Sequence, residues 1–312
     1  MLIEVDPKYF KSKLPNDPHP FVSENFIKLN QNKVDRIVRL IEDSQKISFG
    51  LVAGIKDNML LSPFSSPFGG FHFQHSYHYA SDLDDFVVQL KDYTIRNNFQ
   101  KIRITLPPDI YHQSFNTKTI NSLLRMGFDQ QLPDITNWVD LRYFKEIFSI
   151  KTSREYLNQA TRNQLKFNVV NDEAGKQQVY DLVHNNRKMF GRPIHMTFND
   201  ILKTSELWPV DFFCVEDVEG NMAASAIFYL AHPSISFAVF WGDNEVGRPL
   251  RAMDFLSFNL WKHYKSLGFK YIDLGTSTEA GFPNNGLLRF KETHECFSSL
   301  RYSFSFTNII NS

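Results

Sequence analysis

Three blocks of the chain recur in the same order about 165 residues downstream, a spacing equal to one modest domain. FGLVAGIKDNMLLSPF from Phe49 is matched by FFCVEDVEGNMAASAIF from Phe212, an alignment that sets Asn58-Met59 against Asn221-Met222. YTIRNNFQKIRITLP from Tyr93 is matched by HYKSLGFKYIDLGTS from His263, with Phe99 against Phe269. SLLRMGFDQQLPDITNWVDL from Ser122 is matched by GLLRFKETHECFSSLRYSFSF from Gly286. A chain that repeats itself in this way builds one plan twice. The pattern predicts two units, each with a helix, a hairpin, a helix, a strand, a helix and a strand, in an α/β arrangement around a mixed sheet.

Within that plan, FIKLNQNKVDRIVRLIED is read as the first helix of the first unit and QQVYDLVHNNRKMF as that of the second. The stretch between the units, YFKEIFSIKTSREYLNQATRNQLKF, reads as a connecting helix. The long helix of the second unit has Leu250, Met253, Leu256, Leu260, Tyr264 and Leu267 at spacings of three and four, with Gly268 as its stop.

Charge narrows the function classes. Lys plus Arg and Asp plus Glu both number 34, and residues 1–146 hold 17 of each sign. This balance argues against extended duplex binding, which calls for a basic domain or stripe. A local basic groove is compatible with it, because residues 151–192 hold eight Lys or Arg against four acids. The 30 Phe imply well-filled cores.

The two cysteines, Cys214 and Cys296, are too few for a disulfide framework and suit a reducing compartment. The opening MLIEVDPKYFKSK has no apolar signal-peptide core. MAASAIFYLAHPSISFAVFW is broken by His232 and Pro233, so it reads as two strands and a turn rather than a membrane span. The expectation is a cytoplasmic protein without a membrane span.

FWGDNEVGRPLRA before the long helix, YIDLG at the next strand and GLLRFK after it resemble the tandem Gcn5-related N-acetyltransferase (GNAT) fold of the FemAB-like family, the Fem aminoacyltransferases, in which two such modules are paired. Asp273, Gly275, Phe290 and Lys291 carry the match to that family's Gly-Leu-x-x-Phe-Lys pattern. The helix around Arg187 with its Gly-Arg-Pro turn is similar to the family's substrate-side helix. The resemblance implies two tandem GNAT-like domains, 1–144 and 145–312, each a mixed, mostly antiparallel sheet flanked by helices, with the donor site in the second.

It also implies an N-acyltransferase that moves an acyl group from an activated donor to an amine. Acyl-CoA is the favoured donor, the small-molecule or peptide amine is held in the interdomain cleft, and no metal is expected. Aminoacyl transfer from tRNA, as in the Fem enzymes, and a non-catalytic ligand-binding pair of modules are the alternatives. For the donor, the resemblance points to Trp241, Gly247, Arg248, Leu250, Arg251, Gly275 and Phe290. An orthodox CoA loop is richer in glycine than GDNEVGRPLRA, although Pro249 suits a first helical turn.

For the acceptor, Arg187 and Arg192 read either as phosphate or carboxylate clamps or as solvated helix charges. Ser62, Ser65, Ser66, Gly69 and Gly70 of SPFSSPFGG either line the cleft or form a rigid connection. Asp243 and Asp273 are the general-base candidates, with Asp273 also suited to bracing the loop after its strand.

Lys291 has two readings. The helix NNGLLRFKE, opened by Asn284 or Asn285, would leave it at the margin, paired with Glu292 or Glu295 at ~0.5 kcal/mol or less. As a fixed cation near a tetrahedral oxyanion it would contribute roughly 3–4 kcal/mol. His72, His75 and His78 do not share one face of an extended segment, so zinc is disfavoured. Cys296 beside His294 does not by itself make an activated thiol pair.

Overall fold

The computed structural model describes residues 1–75 and 77–308. Two compact units form: the first takes Met1–Ile135, Glu279–Phe282 and the stretch from Ser299 onward, and the second takes Thr136–Thr278 and Pro283–Ser298.

The first unit contains strands β1 (Leu2–Glu4), β2 (Arg36–Glu42), β3 (Phe49–Lys56), β4 (Met59–Ser62), β5 (Phe71–Phe73), β6 (Lys101–Thr105) and β7 (Asp129–Gln130). Its helices are α1 (Pro7–Lys13), α2 (Glu24–Leu29), α3 (Ala80–Arg96) and α4 (Asp109–Arg125). Its sheet runs β1-β2-β3-β4-β6-β17-β7, where β17 (Ser303–Thr307) is the last of the described strands. Every pair is antiparallel except β4 with β6.

Of the segment FIKLNQNKVDRIVRLIED, expected as one helix, FIKL lies in α2 and RIVRLIE is strand β2. Its apolar residues serve two faces in alternation: Val38 and Leu40 enter the main core, while Ile37 and Ile41 pack with Phe10, Leu14 and Ile27. With both faces covered, the apolar spacing imitates a helical stripe.

The second unit contains β8 (Asp134–Asp140), β9 (Lys166–Val169), β10 (Val210–Glu216), β11 (Met222–His232), β12 (Ile235–Asp243) and β13 (Tyr271–Thr276). Two-residue strands β14 (Thr278–Glu279) and β15 (Phe282–Pro283) form a small ribbon, and β16 (Cys296–Arg301) follows. Its helices are α5 (Lys151–Arg162), α6 (Glu173–Met189), α7 (Phe198–Ser205), α8 (Gly247–Leu250), α9 (Ala252–Ser266) and α10 (Asn285–Glu292). The sheet order is β16-β8-β13-β12-β11-β10-β9, with β12 and β13 the parallel pair. The connecting segment is part helix, α5, and part edge strand, β9.

The topology upholds two of the repeated blocks and shifts the third by one strand. α3 to β6 matches α9 to β13, and α4 with β7 and β8 matches α10 with β16 and β17. The strand parallel to its successor is β4 in the first unit and β12 in the second, so the hairpin β3-β4 corresponds to β11-β12, not to β10-β11. The shared Asn-Met pair marked similar turns, 57–58 and 217–221, rather than equivalent ones.

Helix α9 is apolar at the spacing expected. Leu256, Leu260, Trp261 and Tyr264 are buried against Phe213, Ala226 and Phe228 of the sheet, and Gly268 at φ +82° ends the helix region. It starts only at Ala252, because Arg251 adopts the left-handed conformation (φ 62°, ψ 36°) and separates it from α8.

Candidate functional site

In the second unit, β12 and β13 pair in register from Ile235–Tyr271 to Phe237–Asp273, and the register ends there although β12 continues to Asp243 and β13 to Thr276. The carbonyls that β13 turns toward the gap need other donors. Lys291 supplies them. Its Nζ donates to the carbonyls of Leu274 at 2.9 Å, Gly275 at 3.0 Å and Thr276 at 3.3 Å.

Gly275, at φ +65°, turns the strand so that three successive carbonyls can converge, and its N–H donates to Asp273 Oδ1 at 2.9 Å. Asp273 is fully buried and braces the turn. Lys291 is 1% exposed, so it is neither marginal nor paired with Glu292 or Glu295. The helical period placed it beside the apolar face, and the open carbonyls of β13 draw it inside.

Burial pushes the Lys291 amine down to about 8, with the charges of Cys296 and Asp273 acting in the opposite sense and Arg187 adding to the depression. The unfolded chain keeps this proton up to the ordinary lysine range, while the folded chain releases it from about pH 8 upward. The amine's contribution to stability therefore grows as pH rises through that window and is smallest below it. Urea unfolding of the protein and of Lys291→Met should give a stability difference that shifts in favour of the parent chain between pH 7.5 and 10. A flat difference would mean an unperturbed lysine.

One residue along, Phe290 faces a cavity of about 360 Å³ within the second unit. Strand β12 contributes Trp241, Gly242 and Asp243, helix α6 and its exit contribute Asn186, Arg187, Phe190 and Arg192, and α9 contributes Met253. Asn284, Gly286 and Leu287 at the start of α10 complete it. Trp241 meets Phe290 edge-on at 5.6 Å between centroids. The Asn284 side chain caps α10, accepting from Leu287 N–H.

Arg187 is half-buried, and among the described residues no oxygen accepts a hydrogen bond from its guanidinium. Burial, then the like charge of Arg192, lowers its pKa. The Asp243 carboxylate is 14% exposed, and the side chains that meet it among the described residues are Arg248 at 3.3 Å and Asn186 at 3.4 Å, both on Oδ1. Burial raises its pKa, against the pull of Arg248.

The cavity thus brings together Trp241, Asp243, Phe290, Arg187 and Arg192 of the expected residues. Lys291, Asp273 and Gly275 form a second cluster outside its lining. Gly247, Arg248, Leu250 and Arg251 form the turn after β12, which is tied up internally. Gly247 N–H donates to Asn244 Oδ1 at 2.8 Å, Arg248 N–H donates to the Asn244 carbonyl, and Asn244 Nδ2 donates to the Met222 carbonyl at 2.7 Å. A Cβ on Gly247 would lie 2.0 Å from the Ala223 carbonyl oxygen, so this glycine serves close packing on β11. The Arg251 guanidinium lies 3.6 Å over the Tyr156 ring. Within the turn the N–H groups of Gly247, Arg248 and Arg251 are thus committed to internal acceptors, while the start of α9 has no capping side chain.

The serine loop belongs to the first unit. Ser62 Oγ accepts from Gly70 N–H, Ser65 Oγ donates to Asn30 Oδ1, and Ser66 Oγ donates to the Phe68 carbonyl. Gly69 N–H donates to the Thr105 carbonyl. The hollow beside the loop is about 10 Å³, enough for one water. All three hydroxyls have a hydrogen-bond partner within the first unit.

His294 is committed elsewhere than to Cys296. Its Nε2 meets Asp254 Oδ1 at 3.0 Å, its Nδ1 meets the Phe290 carbonyl at 2.6 Å, and its ring stacks on Phe290 at 3.9 Å. The Cys296 thiol donates to the His294 carbonyl, and burial pushes it up to about 12, so it is not an activated nucleophile. Among the described residues no cluster of His, Cys, Asp and Glu could hold a metal ion. No described helix is long and apolar enough to cross a membrane.

Asn186, Phe190, Met253 and the Asp254–His294 pair were missed in the sequence. Asn186 and Phe190 lie on the face of α6 that carries Arg187, and their spacing of four was the available signal.

No protein-family model matches the chain, and no curated protein matches it in sequence. Solved structures do match in shape. FemX superposes with a TM-score of 0.69 at 10% identity over 99% of this chain and 97% of its own. L-PGS from Bacillus licheniformis superposes at 0.59 with 12% identity, over 96% and 92%. A tandem GNAT protein from the clavulanic acid biosynthesis pathway superposes at 0.56 with 6% identity, over 98% of both chains. The chain has the tandem GNAT fold that its repeats and its GLLRFK segment led us to expect.

Proposed function

We propose that the protein is an N-acyltransferase, with the reaction run in the second-unit cavity. The observation that carries this reading is the parting of β12 from β13, held open by a buried lysine on three carbonyls and flanked by a cavity that pairs an aromatic floor with a carboxylate. The amine nitrogen of the acceptor forms a bond to the acyl carbon, and collapse of the tetrahedral intermediate breaks the bond to the leaving sulfur or oxygen. Of the two protons the ammonium nitrogen gives up, one reaches the leaving group and the other passes by Asp243, whose raised pKa suits a proton acceptor, to solvent. Lys291, buried outside the cavity lining with its N–H donors on the carbonyls of residues 274–276, acts on the developing oxyanion through its charge rather than through a hydrogen bond.

Acyl-CoA is the donor we favour, with Arg248 and Arg251 the nearest cations to the start of α9. The tied-up turn at Asn244–Gly247 favours a second reading, an aminoacyl ester of tRNA, which needs no pyrophosphate cradle there. Melting the purified protein with CoA, acetyl-CoA and a longer acyl-CoA separates the two. A ligand at 100 times its Kd should stabilise by ~2.7 kcal/mol. Stabilisation by the thioesters supports the first donor. No shift with any of them, together with a salt-sensitive complex with tRNA, supports the second.

A further inference from the structure

Compact ligand cavities take their specificity from a few polar groups set in an apolar lining. Here those groups are of both signs. Arg187 has no acceptor for its guanidinium among the described residues, and the exposed Arg192 stands beside it with no acidic partner among them. Asp243 faces the same space and is reached from outside the lining by Arg248 alone, at 3.3 Å on one oxygen, while no side chain among the described residues bonds its Oδ2. The neighbour of Arg187 in the helix, Asn186, donates to the Asp243 carbonyl at 2.7 Å, which fixes the helix and the strand end against each other. A half-buried guanidinium without an acceptor among the described residues, an exposed one beside it and a carboxylate with one oxygen still open therefore stand over a floor of Trp241 and Phe290.

We propose that this cavity takes a small zwitterion, an amino acid or a close analogue, with its carboxylate on Arg187 and its ammonium at Asp243. A neutral amine would leave Arg187 without an anion, and a plain acid would put a second negative charge beside Asp243. A molecule with both groups satisfies both walls, and the guanidinium matches a carboxylate with two parallel N–H donors. At about 360 Å³ the space holds a molecule of this class with an apolar side chain against the rings. The inference rests on the acyl-transfer reading only in making the zwitterion the acceptor.

The test is binding, measured by calorimetry on the full chain, of the twenty common amino acids, β-alanine and 4-aminobutyrate. The methyl ester and N-acetyl derivative of each binder follow. At least one free amino acid should bind with Kd below about 1 mM, and both blocked forms should bind at least tenfold more weakly, the loss of one charged partner. Arg187→Gln should bring the free amino acid down to the level of its ester and leave the ester unchanged; Arg187→Lys, retaining the charge, should recover part of the loss. No binder below 10 mM, equal binding of the ester, or an unchanged Kd in a folded Arg187→Gln overturns the proposal. Turnover of an acyl donor with carboxyl-free amines, in the absence of zwitterion binding, overturns it and leaves the transferase reading standing. Zwitterion binding with no turnover on any acyl donor does the reverse.

Discussion

Lys291→Met is expected to lower kcat for acyl transfer by about 10²–10³-fold, the effect of removing about 3–4 kcal/mol of oxyanion stabilisation, while KM for the amine changes only a few-fold. Methionine keeps the stem and removes the charge. The three carbonyls of residues 274–276 lose their donor, so the end of β13 should loosen as well. Steady-state kinetics with hydrogen exchange at residues 274–276 reads both consequences. A variant with parent kcat would rule out an electrostatic role. A drop in kcat matched by an equal loss of overall folded protein would reduce Lys291 to a structural clamp.

Asp254→Ala is expected to cost about 3–5 kcal/mol, since it leaves a buried partner uncompensated. Asp254 and His294 are 6% and 2% exposed, and the Phe290 carbonyl on the far side of the ring can only accept, so His294 Nδ1 carries hydrogen. Breaking the pair frees the imidazole that stacks on Phe290, and with it a wall of the cavity. For a unit of this size the melting temperature should fall by on the order of 10 °C. Asp254→Asn, which keeps a hydrogen-bonding oxygen, should lose less. A melting temperature within 2 °C of the parent for Asp254→Ala would show that the pair contributes nothing net.

The repeat, the hairpin MAASAIFYLAHPSISFAVFW and the helix around Leu256 and Leu260 were legible because their apolar periods are long and end in clear stops. Strand β2 was not, because burial on two faces erases the alternation by which a strand is known. Lys291 was singled out from its neighbours in GLLRFK, yet its burial was hidden: the three carbonyls that draw it in come from residues 274–276, and sequence spacing does not tell where strand pairing stops. The same limit applies to Arg187 and Asp243, 56 positions apart in the chain, whose shared cavity depends on the Asn186 hydrogen bond across to β12. By composition the serine loop allowed two readings, a cleft lining or a rigid connection. Its hydroxyls are consumed by local partners such as Asn30 and Phe68, which composition does not reveal.

Strand β17 lies between β6 and β7 but follows the elements of the second unit in the chain. As the chain leaves the ribosome, β6 and β7 emerge without the strand that joins them, and the first sheet carries a bare edge along Lys101–Thr105 while more than 160 further residues are added. The two units therefore cannot mature one after the other like beads on a string. The first is sealed only when the second is nearly complete, and a nascent chain stalled before Ser303 should be the species that chaperones hold and proteases remove.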